Sequence, residues 1–204
     1  MPIKQDRQYR TMSSPLSITE FGQEQRKRID SDYYVEGYAT TFEQPYEICD
    51  IDDRKYYEMI ERSAIENADF SDVILLFDHA GIPYARISNK TLGIEADEHG
   101  LMTFADLSKT ERGKALFRDI QERMITRMSW SFKPKKVRFD ESSRTFVISQ
   151  IGKVYDVSAC SIPANDGTEI SVRSMIDGAI EAEERISRAR KIQRLRILLQ
   201  LDRA

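Results

Sequence analysis

The sequence predicts an α+β protein, mostly antiparallel β with at least one helix packed on it, and three observations carry that expectation. "YYVEGYATTF" (33–42) places aromatic and β-branched residues at strand-like spacing. "TLGIEADEHGLMTFADL" (91–107) and "KVRFDESSRTFVISQ" (136–150) each read as strand, polar turn, strand. In "SKTERGKALFRDIQERMI" (108–125), Leu116, Ile120 and Met124 recur every fourth residue, which is the period of an amphipathic helix.

Along the chain, residues 1–32 are polar and charged ("SITEFGQEQRKRIDSD") with little periodicity, and so bury too little apolar surface to offset the entropy of ordering. A flexible arm is expected there. The folded core is expected over 33–172. Within it, "KYYEMIERSAIENA" reads as a short helical stretch, and "DVILLFDHA" as a buried strand running into a turn. His99 falls at a hairpin tip, exposed and so a poor catalytic candidate. Ser108 with Glu111 three residues on forms a capping box for the central helix. "KVYDVSACSIPAND" is a last core strand stopped by Pro163. Residues 173–204 carry Ile192, Leu195 and Leu199 on one side and "RISRARKIQRLR" as a basic face, an appended amphipathic helix.

The charge of -3 and pI near 5.6 oppose general nucleic-acid binding, which rests on a basic face. The longest apolar run, "VILLF" (73–77), is far short of a membrane span, and "MPIKQDRQYR" lacks the apolar segment of a signal peptide. A cytoplasmic protein that does not engage membranes is expected. Cys49 and Cys160 are distant in sequence and lack CxxC spacing, so both are expected to be reduced.

The chemistry centres on "RMITRMSWSFKPKK" (123–136), where Ser129 and Ser131 alternate with Met128, Trp130 and Phe132. A strand with one wet face explains that alternation by itself. A serine becomes a nucleophile only when a base takes its proton and a third group holds the base. His79, at the end of the strand in "LLFDHAG", is suited to be that base, although a structural histidine would look the same. Asp156 in "VYDVSACSIPAND" is a carboxylate within an otherwise apolar strand and needs a partner, which a histidine N–H could supply; an arginine or a wet sheet edge would serve equally. A metal site built from Asp78, His79 and Asp156 is weaker, because two histidines at ligand spacing are absent.

Taken in order, "LLFDHAG", "TLGIEADEHGLM", "MSWSF" and "YDVSACSIPAND" resemble the prohead proteases of tailed bacteriophages, which are similar in fold to the herpesvirus assemblins. The resemblance covers roughly residues 33–172. It implies a barrel-like sheet flanked by helices and a catalytic set of His79, Ser129 and Asp156, with no cofactor and no metal. Four positions depart from the family pattern. Asp78 precedes the histidine where Asn is usual, and Ala80 follows it in place of Asp. Ser131 stands where Gly is usual. Asp156 replaces Glu. Assemblins use a second histidine, which makes His99 the formal rival of Asp156.

The activity implied is that of a serine endopeptidase inside the prohead in the host cytoplasm. It would cut scaffold or major capsid protein and itself during capsid assembly by Ser-His-Asp acyl transfer. The rival is a non-enzymatic scaffold or capsid-assembly protein that keeps the fold and works through its carboxyl-terminal helix, which could also mediate self-association.

Overall fold

The computed structural model of the chain describes residues 7–15, 28–51, 53–161, 185, 188, 189 and 191–194. Two sheets make up the body. The larger has seven strands: β1 (Gln8–Pro15), β9 (Arg127–Asp140), β10 (Thr145–Cys160), β4 (Arg54–Ile60) and β3 (Tyr46–Ile51) lie side by side in that order, with β5 (Ile74–Phe77) also paired to β10 and β6 (Ala80–Arg86) paired to β5. The smaller sheet has the order β2 (Tyr34–Thr41), β8 (Gly100–Asp106), β7 (Leu92–Ala96).

The axis of the fold is β10. It pairs with β9 antiparallel along its whole length, with register shifts between Ile148 and Asp156 that let the pair bend. On its other side, Thr145–Ile148 run parallel to β4 and Asp156–Ala159 run parallel to β5. The sheet is therefore mixed, and it does not close into a barrel. The α+β expectation fits at the level of a mostly β protein, and α1 (Glu111–Gln121) is the one α-helix assigned as an element among the described residues.

Residue type in β9 follows the period of two, although both faces of Met128–Phe132 are buried. Met128, Trp130 and Phe132 of β9 are buried in the main core with Ile148, Val154 and Val157 of β10, against Val35, Ala39, Leu101 and Ala105 of the smaller sheet. Leu116 and Ile120 bring α1 onto the same core.

Several local expectations are corrected. "KYYEMI" is strand β4, with Tyr56, Glu58 and Ile60 buried alternately, and only Arg62–Ile65 turn, as a 3-10 segment. The N-cap of α1 is Thr110, whose hydroxyl accepts the Gly113 N–H at 3.1 Å, rather than Ser108. Met124 lies past the end of the helix and is exposed. The second strand of the hairpin expected over 136–150 and the last strand expected over 153–166 are one element, since β10 runs unbroken from Thr145 to Cys160.

The flexible arm expected over 1–32 does not extend to Gln8–Pro15, which form β1 and pair antiparallel with β9. Pro163 and most of 173–204 lie outside the described residues; positions 185, 188, 189 and 191–194 are helical, and Ile192 is exposed.

Candidate active site

The site is assembled from three neighbouring strands of the larger sheet. On β9 and β10, Ser129 lies directly opposite Ser158 and Ser131 opposite Asp156, so all four side chains share the face turned away from Met128, Trp130 and Phe132. The alternation of hydroxyls and large apolar groups in β9 thus separates a polar site from the core.

His79 reaches this face from the other side of β10. β5 ends at Phe77, which pairs with Ala80, leaving Asp78 and His79 as a two-residue hairpin loop. Both residues have positive φ, 45° and 56°, as a type I′ turn requires. The turn is pinned to the end of β10. The Asp78 N–H donates to Ala159 O, and the Asp78 carboxylate accepts from the N–H and the hydroxyl of Ser161 at 3.2 and 2.9 Å. Asp78, standing where Asn is usual in the family pattern, has this anchoring task.

The three residues expected from sequence come together. His79 Nε2 lies 2.6 Å from Ser129 Oγ, and Nδ1 lies 2.6 Å from Asp156 Oδ1. The shorter aspartate side chain still spans the gap to the imidazole. Ser131 does not contact His79; its hydroxyl donates to Asp156 Oδ2. His99 sits at the exposed tip between β7 and β8, edge-on to the Tyr38 ring.

The carboxylate of Asp156 is buried and well supplied with donors. Burial pushes its pKa up, but His79 together with the Ser131 and Ser158 hydroxyls outweighs this and holds it below the ordinary carboxylate value. An ionised acid beside Nδ1 fixes the tautomer that leaves Nε2 free to accept a proton from a serine. The two thiols offer no competing nucleophile. Burial and nearby acids push Cys160 up to about 12, and burial with Asp50 and Glu47 pushes Cys49 up to about 11.

Three contributors were not anticipated. Ser158 accepts the His79 backbone N–H at 3.2 Å and donates to Asp156 Oδ1 at 3.0 Å, joining base and acid. Arg7 donates to Ser131 Oγ from Nε and Nη2 at 3.1 and 2.9 Å and forms an ion pair with Asp156 Oδ2. Tyr9 packs edge-on against the His79 ring, with centroids 4.8 Å apart. The i, i+2 spacing of Asp156 and Ser158 is a readable sign that the second shares the face of the first. Arg7 and Tyr9 fall in the segment whose polarity argued against order.

The family model of the caudovirus prohead serine protease matches residues 22–183. The chain belongs to that family. His79, Ser129 and Asp156 all fall within the matched span of this prohead protease, and β1 lies ahead of it. No curated protein and no solved structure matches the chain. Membership makes the protein a serine peptidase of phage capsid maturation, consistent with its expected place of action.

Proposed function

We propose that this prohead protease is an endopeptidase that cuts scaffold or major capsid protein by Ser-His-Asp acyl transfer. The observation that carries the reading is the continuous hydrogen-bonded path from Ser129 Oγ through both ring nitrogens of His79 to Asp156. Ser129 Oγ attacks the peptide carbonyl carbon, forming the C–O bond as its proton passes to His79 Nε2. The C–N bond then breaks, and the same proton goes to the departing amine. Water then gives a proton to His79 as its oxygen attacks the ester carbon; the bond from that carbon to Ser129 Oγ breaks, and His79 passes the proton to Oγ as the acid leaves. Asp156 stabilises the imidazolium through both half-reactions.

The reaction takes place inside the prohead, in the host cytoplasm. The core over 33–172 does the chemistry without a cofactor, and the helix over 173–204 docks it to scaffold or to a second copy. Self-cleavage is directed at one or both ends, chiefly within residues 170–204.

Co-expression with the neighbouring capsid gene tests this. Capsid protein shortened by the wild-type chain and left whole by Ser129→Ala supports the reading, and equal products from both would refute it. One observation favours the rival, a non-enzymatic capsid-assembly protein: Ser129 is completely buried.

A further inference from the structure

The burial of Ser129 has a definite source. β1 is paired with β9 in antiparallel register, with Arg10 opposite Trp130 and Thr11 opposite Ser129, so the backbone edge of the nucleophile strand is already occupied. Arg10 O lies 2.8 Å from Ser129 Oγ and accepts its hydrogen. A hydroxyl has one hydrogen. While it is given to Arg10 O, it is not directed at His79 Nε2, 2.6 Å away on the other side, and the serine is held off from its base.

The Arg10 side chain turns to the opposite face of the sheet and enters a buried acidic site. Its Nε and Nη2 donate to Oε1 and Oε2 of Glu58 at 2.6 and 2.7 Å, a two-pronged pair in which both side chains are almost entirely shielded from water. Tyr46 donates its hydroxyl to the same carboxylate. Glu58 and Tyr46 lie within the span shared with the family, whereas the arginine that neutralises Glu58 comes from the strand ahead of it. A buried carboxylate stripped of its only ion-pair partner among the described residues is costly, so a strand replacing β1 must bring its own cation.

We propose that β1 is a self-inhibitory strand: it fills the position along β9 that an extended substrate takes, and the Glu58–Tyr46 site that holds Arg10 receives a basic side chain of that substrate. The inference rests on the protease reading. The residue whose carbonyl is presented to Ser129 is then Arg or Lys. A substrate strand of this kind exchanges ladder hydrogen bonds and one ion pair for equivalents. The outcome is therefore set by concentration, with the tethered arm acting at an effective concentration on the order of millimolar. The enzyme is silent when dilute and works where basic, extended segments are crowded together.

The full-length chain is tested with a fluorophosphonate that phosphonylates activated serines, read by intact mass, and with a synthetic peptide of residues 8–13, QYRTMS, and its counterpart carrying norleucine in place of the arginine. Arg10→Gln, which loosens the arm, is expected to raise the phosphonylation rate at Ser129 roughly tenfold or more. The arginine peptide is expected to be cleaved after its arginine at least about tenfold faster than the norleucine peptide, and Glu58→Gln to remove that preference.

Because Arg10→Gln leaves Glu58 unpaired, the Arg10→Gln, Glu58→Gln double variant repeats the labelling with no buried charge. Hydrogen exchange in Ser129→Ala supplies a readout without chemistry: the arginine peptide should deprotect the amides of residues 8–12 while those of β10 stay protected. Equal labelling in wild type and both arm variants, or arm amides unmoved by the peptide, overturns the inhibitory strand. Equal cleavage of the two peptides overturns the basic pocket. Absence of phosphonylation at Ser129 in every variant overturns the protease reading itself.

Discussion

The Ser131 hydroxyl donates to Oδ2 of Asp156, the carboxylate oxygen that His79 leaves free. The second serine of the β9 motif is thus a support for the acid and not an alternative nucleophile. Ser129→Ala is expected to abolish processing, a loss of several orders of magnitude, while leaving the fold intact. Ser131→Gly removes one of several donors to Asp156 and is expected to slow cleavage by roughly tenfold, the low end of what one hydrogen bond to a charged group is worth, because the other donors remain. Cleavage of capsid protein by the two variants, followed by gel, checks this. A dead Ser131 variant beside an active Ser129 variant would reverse the assignment.

Asp156→Asn keeps size and shape but presents an amide to Nδ1, which favours the wrong tautomer and cannot stabilise the imidazolium. A loss of about 10⁴ in kcat is expected, as in the well-studied triad. His99→Ala, at an exposed hairpin tip, is expected to leave activity unchanged. Steady-state rates of both variants decide between Asp156 and the second histidine.

Acid should weaken the fold partly through Asp106, which sits at the end of β8. Burial raises its pKa, but the Ser31 hydroxyl at 2.5 Å, the Ser108 N–H at 2.9 Å and Lys109 outweigh burial and hold it at about 2. The unfolded chain takes up the proton near the ordinary value of about 3.9, so this contribution is complete above that pH and is lost as pH falls toward the folded value. Denaturant midpoints measured from pH 6 to pH 2 should decline, and Asp106→Asn should flatten the decline by about 1–2 kcal/mol.

Gly113 lies in the first turn of α1, where replacing glycine by alanine ordinarily strengthens a helix. Here a Cβ would stand 2.3 Å from Leu107 O, a backbone atom that cannot swing aside. Gly113→Ala is therefore expected to lower stability by about 1–3 kcal/mol, the opposite of the usual sign. Thermal unfolding of the single variant measures it.

What the sequence disclosed follows from where the information is local. The turn carrying His79 and the alternation around Ser129 are written in consecutive residues, as is the acid in an apolar strand, and these meet in one site. β4 is hard to read from "KYYEMI", a poor apolar run; its period of two appears only once Glu58 is counted among the buried residues, where Arg10, 48 positions away, neutralises it. The same long-range pair is what the expectation of a flexible arm over 1–32 leaves out. Residues 8–15 pair along β9, and Arg7 and Arg10 each reach a buried carboxylate distant in sequence, contacts that composition does not register. The cap of α1 slipped from Ser108 to Thr110 because both residues suit the role, and Ser108 instead gives its N–H to Asp106.

The hairpin that presents His79 has a cost that the rest of the chain must carry. Two successive side-chain-bearing residues with left-handed φ, 45° and 56°, oppose folding by on the order of 1–3 kcal/mol each, in a turn that Asn-Gly would make with little strain. Robustness and activity therefore pull against each other at one dipeptide. A laboratory selection for heat resistance alone would drift toward glycine at position 79 and yield a sturdier, inert protein. Selection for capsid processing would hold the histidine and find its stabilising changes elsewhere.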